Sequence, residues 1–274
     1  MNLDALPYTV LIILAEFSVG SLIAALIAEA RRMVPAGFVK LSAAIVVAGA
    51  GLTVLAAFNV SGSEFEGYRL NDGLFSPVRG VFVAFLALTA PYAWLALRER
   101  PSLVSGGVAA AAGLAGIGLL AYQVSPPTWG LAGPLLSFVI GTLALGFVSE
   151  AMVLGHWYLV SPKLPGRPLQ ELTFLLLAVV AVQAVILVVN AVVPVGQAPD
   201  STALLAGGLG SNPAFWLRVG VGLVFPLALS YMAWQSSRDH AMMSATGLLY
   251  IAVGAVFAGE LLGRGLLFVT GAPV

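Results

Sequence analysis

The chain has 274 residues, 60% of them hydrophobic and 9% charged, with a mean hydropathy of +1.01; soluble domains carry about 25% charged residues, so a water-soluble fold is excluded. Twelve basic and twelve acidic side chains give a formal net charge of +0, which argues against a nucleic-acid partner and against polybasic attachment to anionic lipid. With no cysteine and two histidines, the sequence offers no thiolate for a zinc site or an iron–sulfur cluster, and at most one bis-His haem.

A bilayer core about 30 Å thick takes roughly 20 apolar residues per helical span. Runs of that kind, bounded by charge, Pro or Gly, predict eight spans at 7–30, 38–59, 79–97, 103–124, 133–160, 171–193, 213–235 and 241–268. The first run follows an acid and no base, the reverse of a signal peptide, and reads as an uncleaved span. Barrel strands would alternate over about ten residues, whereas these runs are continuous. The expected fold is an all-α polytopic membrane protein, one integral domain over 1–274, multi-pass in the cytoplasmic (inner) membrane and surrounded by the lipid bilayer.

Orientation follows from the bases, which stay on the cytoplasmic side in short loops. Connections 1–2, 3–4, 5–6 and 7–8 hold Arg31, Arg32, Lys40, Arg98, Arg100, Lys163, Arg167 and Arg238, whereas the opposite side has only Arg69 and Arg79 in a loop. Both termini are therefore expected outside, along with the two longest connections, 60–78 and 194–212. The third and seventh spans share a Pro before the helix, an Arg at the outer end, a mid-helix Pro (Pro91, Pro226) and a Trp four residues before an inner Arg (Trp94 and Arg98, Trp234 and Arg238). This pattern points to a parallel pseudo-repeat of 1–125 and 130–274, pictured as two four-helix bundles.

Ionisable groups inside spans are costly and are functional candidates by default. They are Glu16, Glu150, His156, Arg218, Glu260 and Arg264. With a 1.5 Å rise, Glu16 stands about 22 Å above the inner end of its span, and Arg218 and Glu260 about 30 Å above theirs. Glu260 and Arg264 are spaced to pair along one helix face. Glu16 has no base within a turn. Glu150 and His156 are about 240° apart after full turns and do not share a face, although either could serve a proton path. Gln183, Asn190 and Ser149 are candidates for interhelical hydrogen bonds. Trp216 beside Arg218, and Tyr68 in the long outer loop, complete the expected site in the outer half between spans 1, 7 and 8.

Several stretches carry a resemblance: AEFSVGSLIAAL in the first span, PAFWLRVGVGLVFPLAL in the seventh, and the closing GELLGRGLLF with Glu260, Gly263, Arg264 and Phe268. Together with eight spans and both ends outside, they resemble the membrane-anchor subunits of molybdopterin oxidoreductases, of the polysulfide reductase and dimethyl sulfoxide reductase type. The resemblance implies a quinone-reactive subunit of a respiratory oxidoreductase, without haem. It implies menaquinone or ubiquinone as the cofactor, and electron exchange with an iron–sulfur subunit, and a catalytic molybdopterin-type subunit, at the outer face. Glu16 and Glu260 would then act as proton-exchanging groups, with Tyr68, Trp216, Arg218 and Arg264 around the quinone. Two other readings stay open: a secondary transporter with a midplane site, and a ligand-free anchor or assembly subunit.

Overall fold

A computed structural model describes residues 5–62, 64–65, 68–125, 130–161, 163–192, 210 and 212–272. Its helices are α1 (Leu6–Ala30), α2 (Ala36–Asn59), α3 (Phe75–Leu97), α4 (Leu103–Val124), α5 (Ala132–Val160), α6 (Arg167–Val192), α7 (Pro213–Val219), α8 (Phe225–Arg238) and α9 (Met242–Thr270). A π-helical turn at Gly220–Val224 joins α7 to α8, and the two form one span. Among the described residues eight helices are thus long and apolar enough to cross a membrane, as the sequence predicts, and the even number brings the start of α1 and the end of α9 to one side of the bundle. Two-residue strands β1 (Glu64–Phe65) and β2 (Tyr68–Arg69) pair antiparallel in the connection between α2 and α3. The other long outer connection, 194–212, lies outside the described residues apart from Gly210 and Asn212.

Local chemistry sets the ends. Pro7 and Pro213 sit in the first turns of α1 and α7, where a missing N–H costs nothing, and the Ser102 and Asn212 side chains cap α4 and α7. α3 begins at Phe75 rather than 79, because Pro77 is accommodated in a first turn; α6 likewise begins at Arg167, with Pro168 following. At the outer end of α3, Arg79 donates to the carbonyls of Ala57 and Val60 at 2.9 and 3.0 Å, satisfying the C-terminus of α2. At the inner side three helices end on a non-glycine residue with left-handed backbone: Arg32 (φ 52°), Glu99 (φ 57°) and His240 (φ 57°). Glycine is the usual occupant there, because a Cβ costs roughly 1–2 kcal/mol in that region.

Helices α1 to α4 pack each on the next, with α4 closing on α1; α5, α6, α8 and α9 form a second ring in the same way. The two four-helix bundles meet along α1 and α5, which are the most buried spans. That seam depends on glycine. A Cβ on Gly146 would stand 2.6 Å from the Cα of Gly20, and one on Gly20 would stand 3.0 Å from the Gly146 nitrogen. The backbones can approach this closely only because neither residue has a side chain.

Candidate functional site

Four ionisable side chains from three helices converge in the outer half: Glu16 from α1, Arg218 from α7, and Glu260 and Arg264 from α9. All are at most 3% exposed. Arg264 is the hub. Its Nη2 lies 2.8 Å from Glu16 Oε1 and 2.9 Å from Glu260 Oε2, and its Nε donates to Glu16 Oε2 at 3.3 Å. Its Nη1 donates to Ser137 Oγ at 2.6 Å, its Nη2 to the Ser137 carbonyl at 3.0 Å, and its guanidinium carbon stands 4.7 Å from the centre of the Phe138 ring. Glu260 Oε1 takes Arg218 Nη2 at 3.2 Å and Gln183 Nε2 at 2.7 Å. Two carboxylates and two guanidiniums leave the cluster formally neutral, which is how buried charge is tolerated in an apolar medium.

Each helix presents its member for a local reason. Glu260 and Arg264 share a face of α9 because they are four residues apart. On α7, Arg218 points inward and Trp216 outward, since two residues are about 200° apart. Pro226 has no N–H for the carbonyl four residues before it, and Arg218 Nη1 lies 3.4 Å from that carbonyl, Gly222 O. The π turn begins two residues after Arg218, and such turns often occur at functional sites. Gly141 on α5 leaves the space the cluster fills: a Cβ there would stand 2.7 Å from Glu260 Oε2 and 3.2 Å from Glu16 Oε1. Among the described residues Arg218 Nε makes no hydrogen bond, and Glu16 Oε1 has the Arg264 ion pair as its one polar contact.

The remaining expected residues lie elsewhere. Trp216 is 60% exposed, and its Nε1 donates to the Gly210 carbonyl at 2.7 Å, so it stands on the outer surface of the bundle and not in the cluster. Tyr68 falls on β2, and its side chain lies outside the described part of the structure. Glu150 is fully buried in the inner half of α5, where Ser42 Oγ of α2 donates to its Oε2 at 2.5 Å and its Oε1 is unpartnered. His156 is exposed and bonds Tyr250 Oη at 3.1 Å, away from Glu150. Gln183 does bond across helices, whereas Ser149 Oγ has no hydrogen-bond partner among the described residues.

Neither a protein-family model nor a curated protein matches this sequence.

Sequence reasoning missed several participants. Ser137 and Phe138 carry no charge and sit in an unremarkable apolar run, so no signal marked them. Glu29, at the inner end of α1, looks like a loop-flanking acid; in the fold it is 7% exposed and accepts from Tyr92 Oη at 3.1 Å. It lines a cavity of about 590 Å³ at the inner ends of α1–α4, on the opposite side from the charge cluster. On its rim, Lys40 Nζ stands 2.7 Å from Glu99 Oε1 and holds the Glu99 carboxyl below its ordinary pKa. On the face of α9 away from Glu260 and Arg264, a crevice of about 80 Å³ opens between Asn212 and Ala214 on one side and Leu262, Gly265, Leu266 and Val269 on the other.

Proposed function

We propose that this chain is the quinone-reactive integral subunit of a respiratory oxidoreductase in the cytoplasmic membrane, taking menaquinone or ubiquinone in its outer half. In this reading it exchanges electrons with an iron–sulfur subunit, and through it a molybdopterin-type catalytic subunit, at the outer face. The observation that carries the reading is the buried, neutral cluster with one unused donor, Arg218 Nε, and a carboxylate, Glu16, whose Oε1 has the Arg264 ion pair as its one polar contact and keeps lone-pair capacity for a further donor. A quinone carbonyl needs a donor and a quinol hydroxyl an acceptor, with an apolar path for the tail.

A bound quinone supplies two-electron, two-proton redox chemistry; the chain's residues bind, orient and exchange protons. Arg218 Nε would hold a ring oxygen, and Glu16 would accept the proton of the second. Arg264, fixed by Ser137 and Glu260, keeps the Glu16 carboxylate in place. Glu150, whose Oε1 makes no hydrogen bond among the described residues, offers a proton-exchanging group toward the inner face. The chain has no cysteine and two histidines, so electrons would have to pass through a partner's centres rather than along this chain. The carrier reading draws on the π turn and Pro226, which interrupt the seventh span within the membrane.

The test is purification of the full chain from native membranes with its partners. A stoichiometric quinone and a co-purifying iron–sulfur protein are expected, and Glu16→Gln should assemble yet lose most quinol-linked turnover. Parental turnover in that variant would overturn the role of Glu16. A partner-free chain that moves solute in liposomes would replace the reading by secondary transport.

A further inference from the structure

The inner cavity of the first bundle is independent of the quinone reading. It measures about 590 Å³, within the ~300–1,000 Å³ typical of small-molecule sites, and is lined by Glu29, Arg32, Glu99, Arg100, Leu103 and neighbouring apolar residues. Its charges do not cancel locally. Glu29 is buried and receives only the neutral Tyr92 hydroxyl, with no cation paired to it among the described residues. Glu99 is paired with Lys40, whereas Arg32 and Arg100, both exposed at the rim, have no ion-pair partner among the described residues. Arg32 and Glu99 also hold left-handed backbone at helix ends, where glycine would normally stand, so side chains occupy the rim where the backbone disfavours them.

We propose that this cavity binds a phosphoethanolamine group, its ammonium on Glu29 and its phosphate between Arg32 and Arg100. An unpaired buried carboxylate at the floor selects a compact cation that donates hydrogen bonds, and two guanidiniums at the mouth select an anion with several oxygens. The cavity lies at the level of the inner helix ends, where lipid headgroups sit. Leu103 and Val104 on its α4 side are 45% and 78% exposed and give acyl chains an apolar wall to follow outward. A phosphatidylethanolamine of the inner leaflet and a soluble phosphoethanolamine carry the same recognised group.

The experiment uses the full chain, delipidated in detergent, titrated calorimetrically with dihexanoyl phosphatidylethanolamine, dihexanoyl phosphatidylglycerol and free phosphoethanolamine. Saturable binding of the ethanolamine lipid is expected, with the glycerol lipid about tenfold weaker or more. Glu29→Gln, which keeps the hydrogen bond from Tyr92, and Arg100→Gln, at an exposed site that should not disturb folding, should each weaken ethanolamine-lipid binding about tenfold. Equal affinity of free phosphoethanolamine supports the site and assigns it to a soluble zwitterion; a requirement for the acyl chains supports it and assigns it to the leaflet. Equal binding of the two lipids, or binding indifferent to both substitutions, overturns the proposal.

Discussion

At the level of single residues, the outer cluster is held by charge balance more than by any one contact. Removing one partner of a buried ion pair leaves the other uncompensated, which costs about 3–5 kcal/mol, whereas removing both can be close to neutral. Arg218 and Glu260 meet at 3.2 Å with both side chains buried. Arg218→Gln alone, or Glu260→Gln alone, should therefore lower the unfolding midpoint of the full chain in detergent sharply. The double variant should recover a large part of that loss. Additive losses in a double-mutant cycle would mean that the pair is not coupled. Arg79 makes a useful contrast. It occupies the place in the third span that Arg218 holds in the seventh, yet it caps α2 and lies over the Phe58 and Phe75 rings at 5.5 and 5.8 Å. Two similar sequence positions thus do different work, because Arg218 faces Glu260 of α9 whereas Arg79 faces the carbonyls at the end of α2.

At the level of helices, the α1–α5 seam sets the distance between the bundles and hence the reach from Glu16 on α1 to Arg264 on α9. Gly146→Ala would drive a methyl into the backbone of Gly20, which cannot turn aside as a side chain can. Overpacking of this kind costs about 1–3 kcal/mol, so a lowered thermal midpoint is expected. Gly254→Ala on α9 meets nothing within 4 Å and serves as the control, with no loss expected. An equal response of the two variants would show that the seam tolerates separation. The seventh span adds a second device. Its π turn and Pro226 free a carbonyl that Arg218 approaches, so an irregularity in the helix is tied to the position of a buried charge.

For the whole molecule, orientation rests on the bases: eight named above flank the inner connections, and the α2–α3 connection lies on the other side with the end of α6 and the start of α7. Cysteine introduced at Gly166, between α5 and α6, should be shielded from an impermeant thiol reagent in intact cells. Cysteine at Ser201, which lies outside the described residues, should react. The reverse labelling would invert the topology and move the charge cluster to the inner half. With the orientation as read, the buried carboxylates of the first and fifth spans, Glu16 and Glu150, fall at different depths. One joins the outer ion cluster and the other bonds Ser42 toward the inner face.

The eight spans, their limits to within a few residues, and the buried placement of Glu16 and Glu150 were legible in the amino-acid sequence, because apolar length and the cost of intramembrane charge are local properties. The pairing of Glu260 with Arg264 was legible too, since four residues on one helix fix it. Only the tertiary structure decided that Glu16 reaches Arg264 across 248 positions of chain, and that Ser137, Phe138 and Gln183 complete the shell. It also turned Trp216 outward and made a cavity beside Glu29. Those contacts depend on which helix faces close on which, and that is set by glycine seams and helix rotation, quantities that a hydropathy pattern symmetric around each span does not encode.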